Sequence, residues 1–479
     1  AINALEASAS FHLYHVNRAR ALRRTLDESP PGSAIACREI GQTWRTLHDF
    51  PRAIAWFTRA GALEPRDVDT WETLASCHEQ NREPTKARQI ADATRMRFGL
   101  TAGIERLLVR LDHHDEHLEE ARRRGERLLA EPLLPSMRRS LHLELAAVAQ
   151  RQGDVAATWE HAQAGNRLAQ AEFTQQGLLP GVFTASVRHV VDQARTVFAN
   201  PVPPSDGRLP PTFVVGVPRA GTTLVQQMLQ AHPRIETLDE TDPGSRVLRR
   251  HWAEHSAITP LAYPDQLRQI SPEAWVELRD AYWSAVAEDG VEPTLLASDV
   301  DPVGTRLVDK LPLSLVRLQY FRQLFPDALV VVCLRDPRDL VWSNVLQDFS
   351  ANPFAAEATD LARAADLVAA TLDLWLAWRD DPPMRTIELR YEDVTADPEA
   401  SMRRVLDGMG LAWDPAVAAP HLQVARPIRT PSYLDVGKPI HKGAQARWRK
   451  VLPYLEPVLE PLAPYVEAFG YEPTPARVS

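Results

Sequence analysis

The segment "TFVVGVPRAGTTLVQQMLQAH" (212–232) constrains the fold of this chain more than any other. It runs from a short apolar stretch, through a turn in which Gly216 and Gly221 have the G-x-x-x-x-G spacing, into an amphipathic helical pattern. A glycine-rich turn between a strand and a helix can hold a phosphate group, because backbone N–H groups and the helix dipole face the ligand. Thr222 stands where such a loop usually has lysine, so Arg219 in the middle of the loop is the nearest positive charge.

Apolar and amphipathic segments alternate after this loop. The pattern predicts strands at 212–217, 306–312, 328–334 and 385–391, and helices at 222–232, 314–325, 337–349 and 397–410. Strand–helix alternation predicts a parallel sheet flanked by helices, with ligands at the carboxyl ends of the strands. We therefore expect an α/β, P-loop-like domain over residues 213–479.

The first 198 residues carry a helical pattern with a period of 34, shown by Ala53, Ala87 and Ala121. This period and its small residues are typical of tetratricopeptide (TPR) helical hairpins, although an unrelated helical bundle is an alternative. The sequence predicts an all-α, TPR-like repeat domain over 1–198 that binds a peptide or protein partner or packs on a neighbouring domain. Residues 199–212, "ANPVPPSDGRLPPT", predict a proline-rich linker.

Composition narrows the function further. The net charge of −9 over 479 residues argues against a general nucleic-acid binder. No apolar run approaches the roughly 18 residues of a membrane span, and no secretory signal is expected at the start of the chain. Cys37, Cys77 and Cys333 form neither a disulfide framework nor a zinc pattern, which favours a reducing, cytoplasmic location.

A histidine-rich stretch, "DHHDEH" (112–117), has two interpretations. His113, His114 and His117 are candidate metal ligands, and a solvated turn between helices is the favoured alternative. We therefore expect no metal site.

A second candidate anion-binding element is "CLRDPRDLVWSN" (333–344). Arg335 ends a predicted strand, and Ser343 lies about two turns into the helix that Pro337 begins. An arginine and a hydroxyl in these positions can bind a second phosphate beside the first loop. The alternative is that Arg335 belongs to a surface cluster of ion pairs with its neighbours Asp336, Arg338 and Asp339.

The pair "PRAGTT" and "LRDPRDLVWS" resembles the two cofactor motifs of sulfotransferases, with the greatest similarity to bacterial TPR-containing sulfotransferases and then to tyrosylprotein sulfotransferases. The resemblance extends through "AHPRIETLDET", "VDKLP", "LRYEDVTADPE" and "KPIHKGAQARWRK". It implies binding of 3′-phosphoadenosine 5′-phosphosulfate (PAPS) without a metal. The 5′-phosphosulfate is then held by Pro218, Arg219, Ala220, Gly221, Thr222 and Thr223, and the 3′-phosphate by Arg335 and Ser343. Ala220 departs from the serine that is usual in the family.

The same resemblance assigns four further residues. Glu240 matches the catalytic base, and Lys310 matches the lysine that stabilises the leaving group. Tyr391 matches a tyrosine near the adenosine phosphate, and Lys438 matches a lysine that reaches the phosphosulfate. The alternatives are a helix-terminal Glu240 paired with Arg246, a strand-end Lys310 without catalytic role, and His232 as the base.

The sequence thus predicts a sulfotransferase that moves a sulfuryl group from PAPS to a hydroxyl of a protein tyrosine, a carbohydrate or a small molecule. Two other functions stay open. One is a TPR interaction scaffold with an inactive nucleotide-binding domain. The other is a P-loop kinase, which ATP turnover with Mg²⁺ would favour.

Overall fold

A computed structural model describes residues 32–194, 206–255, 263–291, 304–380, 382, 384–420, 440, 443 and 445–474. Within these ranges the chain forms a helical array followed by a parallel sheet flanked by helices. The predicted fold class is therefore confirmed.

The array consists of antiparallel helical hairpins followed by one further helix. Its helices are α1 (Ala34–Thr46), α2 (Phe50–Leu63), α3 (Val68–Gln80), α4 (Pro84–Phe98), α5 (Ala102–His114), α6 (Leu118–Leu129), α7 (Pro135–Gln152), α8 (Val155–Gln175) and α9 (Val182–Asp192). Ala53, Ala87 and Ala121 each occupy the fourth position of α2, α4 or α6 and are completely buried. Methyl side chains at these positions let paired helices approach closely, which explains the period in the sequence.

The sheet has five parallel strands in the order β2-β3-β1-β4-β5. The strands are β1 (Thr212–Gly216), β2 (Ile235–Asp239), β3 (Arg306–Lys310), β4 (Leu329–Leu334) and β5 (Arg385–Arg390). The accompanying helices are α10 (Thr222–Gln230), α11 (Pro243–His255), α12 (Pro272–Glu288), α13 (Leu318–Leu324), α14 (Pro337–Val345), α15 (Pro353–Ala358), α16 (Leu361–Arg379), α17 (Tyr391–Ala396), α18 (Pro398–Met409) and α19 (Leu452–Ala468). Strands β1 and β4 are buried at every residue, as expected for the centre of a sheet covered on both faces.

Three local predictions differ from the structure. Strand β2 was not predicted, because only Ile235 and Leu238 of its sequence "IETLD" are apolar, whereas β4 is continuously apolar. The predicted helix 314–325 begins as a 3₁₀ helix (Pro312–Arg317) and becomes α-helical only in α13. The predicted helix 337–349 ends four residues early, at Val345.

The helical array packs directly on the sheet domain through α9. Phe183 and Val187 of α9 share a buried cluster with Phe354 and Leu367 of the sheet domain. Glu357, which is completely buried, accepts hydrogen bonds from the backbone N–H groups of Gly181 (2.8 Å) and Phe183 (3.2 Å) at the start of α9. The predicted boundary at 198 lies within residues 195–205, which are outside the described part, and the boundaries at 198 and 212 both stay predictions.

Two features that bear on location can be read from the described ranges. None of their helices is both long and apolar enough to cross a bilayer. Cys37, Cys77 and Cys333 are buried and form no disulfide.

Close contact between β1 and β4 at Gly216 gives a first prediction. Gly216 has φ +151°, and an added Cβ would lie 2.5 Å from the carbonyl oxygen of Cys333. Gly216→Ala should therefore lower the free energy of unfolding by roughly 3 kcal/mol or more, because backbone strain adds to a clash with backbone. Chemical denaturation followed by tryptophan fluorescence measures this change.

Gly290→Ala is the matched control, since Gly290 also has a left-handed φ (+92°) but nothing lies within 4 Å of an added Cβ. This variant should cost only about 1–2 kcal/mol from backbone strain. Equal losses for the two variants would contradict the close approach of β1 to β4.

Candidate active site

Carboxyl ends of all five strands meet at one edge of the sheet, and the predicted site residues lie there. Glu240 follows β2, Lys310 ends β3, the loop 217–221 follows β1, Arg335 follows β4, and Tyr391 follows β5. Parallel pairing places these residues side by side, although they are far apart in the sequence, from the loop 217–221 to Tyr391. The sheet thus assembles one candidate active site from five separate segments.

The loop 217–221 has a strained backbone that β4 and α14 hold in place. Arg219 has φ +75° and Gly221 has φ +94°, both in the left-handed region, which costs a non-glycine residue about 1–2 kcal/mol. Asn344 Nδ2 donates to the Pro218 carbonyl at 3.0 Å, and Arg335 Nη1 donates to the Arg219 carbonyl at 3.0 Å. Both carbonyl groups therefore accept hydrogen bonds from side chains of the β4–α14 segment. This arrangement suits an anion cradle in which the loop N–H groups face the ligand.

The two predicted phosphate elements touch each other. Arg219 Nε donates to Ser343 Oγ at 3.1 Å, so the loop arginine and the helix hydroxyl belong to one site. The Arg335 guanidinium lies 5.0 Å from the centre of the Tyr391 ring. The Tyr391 ring in turn packs on Gly221, where an added Cβ would lie only 2.7 Å from Cδ2.

The remaining loop residues are held in the interior. Ala220 is buried, and its N–H donates to the Val217 carbonyl at 3.0 Å. Thr222 and Thr223 are also buried and form the first turn of α10. Gly221 is the N-cap of this helix and has no side chain that could accept hydrogen bonds from the first-turn N–H groups.

Charged residues at the start of α14 are buried, so the alternative of a surface cluster is wrong. Arg335 and Asp336 are each 6% exposed, and Arg338 and Asp339 are each 1% exposed. Arg338 binds Asp336 through Nε (2.9 Å) and Nη2 (2.6 Å) and stacks 3.6 Å from the centre of the Trp448 ring. Asp339 accepts a hydrogen bond from the Trp448 N–H at 2.8 Å. Arg338 thus secures the helix start, while Arg335 reaches the loop.

Lys310 lies between two carboxylates. Its side chain is completely buried, with Nζ 2.8 Å from Glu240 Oε1 and 2.6 Å from Asp239 Oδ1. Burial alone would lower the pKa of Lys310, but the charges of Glu240 and Asp239 outweigh burial and raise it. The lysine is therefore a permanent cation at the end of β3.

Glu240 has a constrained backbone and a partly open side chain. Its φ is +57°, and its N–H donates to the Lys310 carbonyl at 3.0 Å, extending the β2–β3 pairing by one residue. The side chain is 32% exposed, so a substrate can reach the carboxylate. Arg246, the alternative partner, instead donates to both carboxylate oxygens of Asp289 at 2.8 Å.

His232 lies at the opposite edge of the sheet, before β2 begins. Its Nδ1 accepts from the Arg234 N–H at 3.1 Å, and its Nε2 lies 3.1 Å from the Ala412 carbonyl. Both ring nitrogens therefore have backbone partners away from the site, which favours a structural role for His232 over the role of base.

Two further predictions concern a metal and Lys438. His113 Nδ1 lies 2.7 Å from Glu144, and His117 precedes α6. No group of three or more potential ligands is placed to hold a metal ion among the residues that the structure describes. Lys438 lies outside the described residues, and its role stays a prediction.

Sequence reasoning missed two residues of the site. Asn344 braces the Pro218 carbonyl, and Asp239 holds Lys310. Asn344 is 1% exposed, and the available sequence signal was an amide side chain directly after Ser343. Asp239 could be assigned to the site only once β2 was known, because the pairing of β2 with β3 places Asp239 beside Lys310.

Asp309, on β3 next to Lys310, carries an unusual buried carboxyl. It is 2% exposed and accepts a hydrogen bond from the Tyr282 hydroxyl at 2.8 Å. Burial raises the pKa of Asp309 to about 7, despite the Tyr282 hydrogen bond, which lowers it. The folded protein therefore retains a proton that the unfolded chain loses at lower pH.

Residues 210–415 match the sulfotransferase family. A protein-tyrosine sulfotransferase of Drosophila melanogaster is 28% identical over 278 residues, covering 55% of this chain and 52% of that protein. Protein-tyrosine sulfotransferase 1 of Homo sapiens is 25% identical over 281 residues, covering 55% and 70%. An uncharacterized protein of Aquifex aeolicus (strain VF5) is 28% identical over 253 residues, covering 52% and 32%. The chain thus spans about a third to a half of the Aquifex and Drosophila proteins, and the family match confirms the resemblance seen in the motifs.

Two solved structures have limited similarity to this chain. The sulfotransferase domain of the Synechococcus PCC 7002 olefin synthase is 20% identical with a TM-score of 0.38, covering 57% of this chain and 99% of that one. The sulfotransferase domain of the curacin biosynthetic pathway is 17% identical with a TM-score of 0.37, covering 56% and 100%. The assignment of the fold therefore rests on the sheet and loop of this chain.

A pH-dependent stability follows from the buried Asp309 carboxyl. Because its folded-state pKa is near 7 and its ordinary value is 3.8, the folded state loses stability as pH rises between these values. Asp309→Asn keeps the acceptor for Tyr282 and removes this loss. Its free energy of unfolding should exceed that of the unaltered protein by on the order of 2–4 kcal/mol above the folded pKa, with the difference shrinking toward acidic pH.

Asp280→Asn is the control, because Asp280 forms an exposed ion pair with Arg208. Urea unfolding across this pH range should give a flat difference for that variant. A flat difference for Asp309→Asn as well would show that the Asp309 carboxyl is ionised in the folded protein.

Proposed function

We propose that this chain, which carries a sulfotransferase-family domain over residues 210–415, transfers a sulfuryl group from PAPS to a hydroxyl acceptor. The other product of the proposed reaction is adenosine 3′,5′-bisphosphate. Neither alternative function gains support from the site: the loop has threonine, not lysine, at position 222, and the charged residues proposed for sulfuryl transfer lie at one edge of the sheet.

The order of residues across the sheet is the observation that carries the proposal. From β2 across the sheet to β4, the strand ends present Glu240, then Lys310, then the loop with Arg219, then Arg335. Neighbouring strands lie roughly 5 Å apart, so the four positions form a row. A base, a cation and two anion-binding elements in this order match an acceptor hydroxyl, a transferring group, a 5′-phosphate and a 3′-phosphate.

Charge and geometry give each residue its role in the proposed step. Glu240 accepts the proton of the acceptor hydroxyl as that oxygen forms a bond to sulfur. The bond from sulfur to the bridging oxygen of the 5′-phosphate breaks, and the electron pair stays on the phosphate. Lys310 and the N-terminal end of α10 stabilise the negative charge that develops there. Arg335 and Ser343 hold the 3′-phosphate and fix the donor in line.

Asp239 keeps Lys310 in place during this step. Lys310 has two carboxylate partners at 2.6 and 2.8 Å, and Glu240 must be released from it to take a proton. Asp239 then remains as the partner that holds the ammonium group at the end of β3. We therefore assign Asp239 as a positioning residue and Glu240 as the base.

Similarity to proteins named protein-tyrosine sulfotransferases makes protein tyrosine the first acceptor to test. Mass spectrometry of tyrosine peptides, sugars and small phenols, incubated with the full chain and isotopically labelled PAPS, identifies the acceptor. The result that supports the proposal is transfer of the label to a hydroxyl group with release of the bisphosphate. Turnover of ATP with Mg²⁺ and none of PAPS would favour a kinase instead.

Binding of adenosine 3′,5′-bisphosphate to the full chain should persist in EDTA, since the site offers cationic side chains and helix N–H groups for the phosphates. Arg335→Ala should weaken the bisphosphate about 10- to 100-fold, the worth of a charge-assisted contact of roughly 1.5–3 kcal/mol. The same substitution should weaken the binding of adenosine 5′-monophosphate much less, because this nucleotide lacks the 3′-phosphate. Isothermal titration calorimetry measures both affinities.

The control for this measurement is Arg363→Ala on α16, a partly buried arginine that donates to Thr359. It should leave both affinities unchanged. If Arg335→Ala weakens the two nucleotides equally, Arg335 does not hold the 3′-phosphate.

Replacing the proposed base should separate chemistry from binding. Glu240→Gln keeps the size and hydrogen-bonding capacity of the side chain but cannot accept the proton, so single-turnover transfer should fall by about 10²–10⁴. Bisphosphate affinity should change little. Asp239→Asn should reduce turnover less, because Glu240 can still take the proton and the asparagine side-chain oxygen can still accept a hydrogen bond from Lys310.

Full turnover of Glu240→Gln on a true acceptor would remove Glu240 from the mechanism. Joint loss of turnover and nucleotide affinity would instead assign Glu240 the task of bracing Lys310. Thermal unfolding of each variant checks that the fold is intact.

A further inference from the structure

We propose that Asn166 and Trp159, both on α8 of the helical array, are positioning residues for the anion-binding loop of the transferase domain. The inference rests on the proposed function for its ligand, but the contacts that carry it are those of the chain itself. Under this proposal the fourth hairpin of the array, α7 and α8, helps to position the loop that binds the donor.

Asn166 caps the buried C-terminal end of α14. Its side chain is 5% exposed, and Nδ2 donates to the Val345 carbonyl at 2.8 Å. Val345 is the last residue of α14, and the final carbonyls of a helix have no partner within the helix. A side chain from α8 therefore caps the C-terminal end of the helix that carries Ser343 and Asn344.

Trp159 holds the same helix one turn earlier. Its ring stacks on that of Trp342, with centroids 5.7 Å apart and planes inclined by 20°. Trp342 is 1% exposed and directly precedes Ser343. The face of α14 that meets α8 is thus fixed by one aromatic stack and one hydrogen bond.

Two hydrogen bonds connect α14 to the loop 217–221, so the position of the helix affects the position of the loop. Ser343 Oγ accepts from Arg219 Nε at 3.1 Å, and Asn344 Nδ2 donates to the Pro218 carbonyl at 3.0 Å. Val345, Asn344 and Ser343 are consecutive, so a shift of the helix end moves both contacts. The left-handed Arg219 depends on these contacts for its conformation.

A second link joins the array to the segment that covers α14. Gln150, in α7, accepts from Arg447 Nη1 at 3.2 Å. The neighbouring Trp448 donates its N–H to Asp339 of α14. The array therefore contacts α14 at its end and, through 447–448, near its start.

The test uses the full chain with Asn166→Ala and Asn166→Asp. The aspartate keeps the shape of the side chain and removes the donor, which separates the hydrogen bond from packing. Thr158→Val is the matched control, because Thr158 is buried in the same helix but its hydroxyl donates to Asp154 within the array.

Two readouts are measured for each variant at a temperature where all are folded. The first is the dissociation constant of adenosine 3′,5′-bisphosphate. The second is hydrogen–deuterium exchange of the loop 217–221 and of residues 343–347 without nucleotide. We expect both Asn166 variants to bind about 3- to 10-fold more weakly, the size of a remote coupling, and to exchange faster in both segments. Thr158→Val should change neither.

A double-mutant cycle between Asn166→Ala and Ser343→Ala adds a readout that a purely structural role would not move. If Asn166 acts through α14, the combined loss of affinity is smaller than the product of the single losses. Independent losses, or unchanged affinity and exchange in Asn166→Asp, would overturn the proposal. If the unaltered chain binds no bisphosphate, the proposed function fails, and the exchange comparison alone decides the inference.

Discussion

The bracing of the loop 217–221 by β4 and α14 is the interaction on which the rest of the site depends. A non-glycine residue in the left-handed region is unfavourable, and Arg219 adopts that conformation at the centre of the loop. Three side chains from a single neighbouring segment, Arg335, Ser343 and Asn344, offset this cost through hydrogen bonds. Because that segment also supplies the proposed 3′-phosphate contacts, the two anion-binding elements cannot be positioned independently.

The sheet topology explains how distant parts of the sequence reach this site. β1 lies at the centre between β3 and β4, so its loop is flanked by Lys310 on one side and Arg335 on the other. β2 extends the sheet beyond β3 and brings Glu240 and Asp239 to Lys310. Right-handed connections between parallel strands place helices on both faces and leave the carboxyl edge open for ligands.

The sequence predicts the central elements well because their physical signals are local. The apolar runs of β1 and β4 and the glycine spacing of the loop need no tertiary information. The 34-residue period is also visible, since Ala53, Ala87 and Ala121 must be small wherever the hairpins close. Arg219 and Ser343 were predicted as members of one site, and their side chains touch.

What sequence reasoning missed depends on tertiary contacts. β2 has the polar pattern of an edge strand, and its pairing with β3 decides that Asp239 faces Lys310. The charged sequence "RDPRD" is typical of an exposed segment. In the structure, however, Arg338 is buried and stacks on Trp448, which lies 110 positions later. α19 contains Pro457, Pro461 and Pro464 inside a helix, where isolated propensities predict a break. For Asp239 and Arg338, a partner remote in sequence outweighs the local preference.

Under the proposed reaction, the ion pairs at the strand ends couple binding of the donor to the release of Glu240, the proposed base. Without a ligand, Lys310 is paired with both Asp239 and Glu240, and Arg335 lies 3.8 Å from Asp339. An anion arriving beside Lys310 competes with these carboxylates for the same cation. Asp239 is 14% exposed and Glu240 is 32% exposed, so Glu240 is the partner that can turn away toward solvent. Under the proposed reaction, binding of the donor therefore frees the carboxylate that must then receive the acceptor's proton.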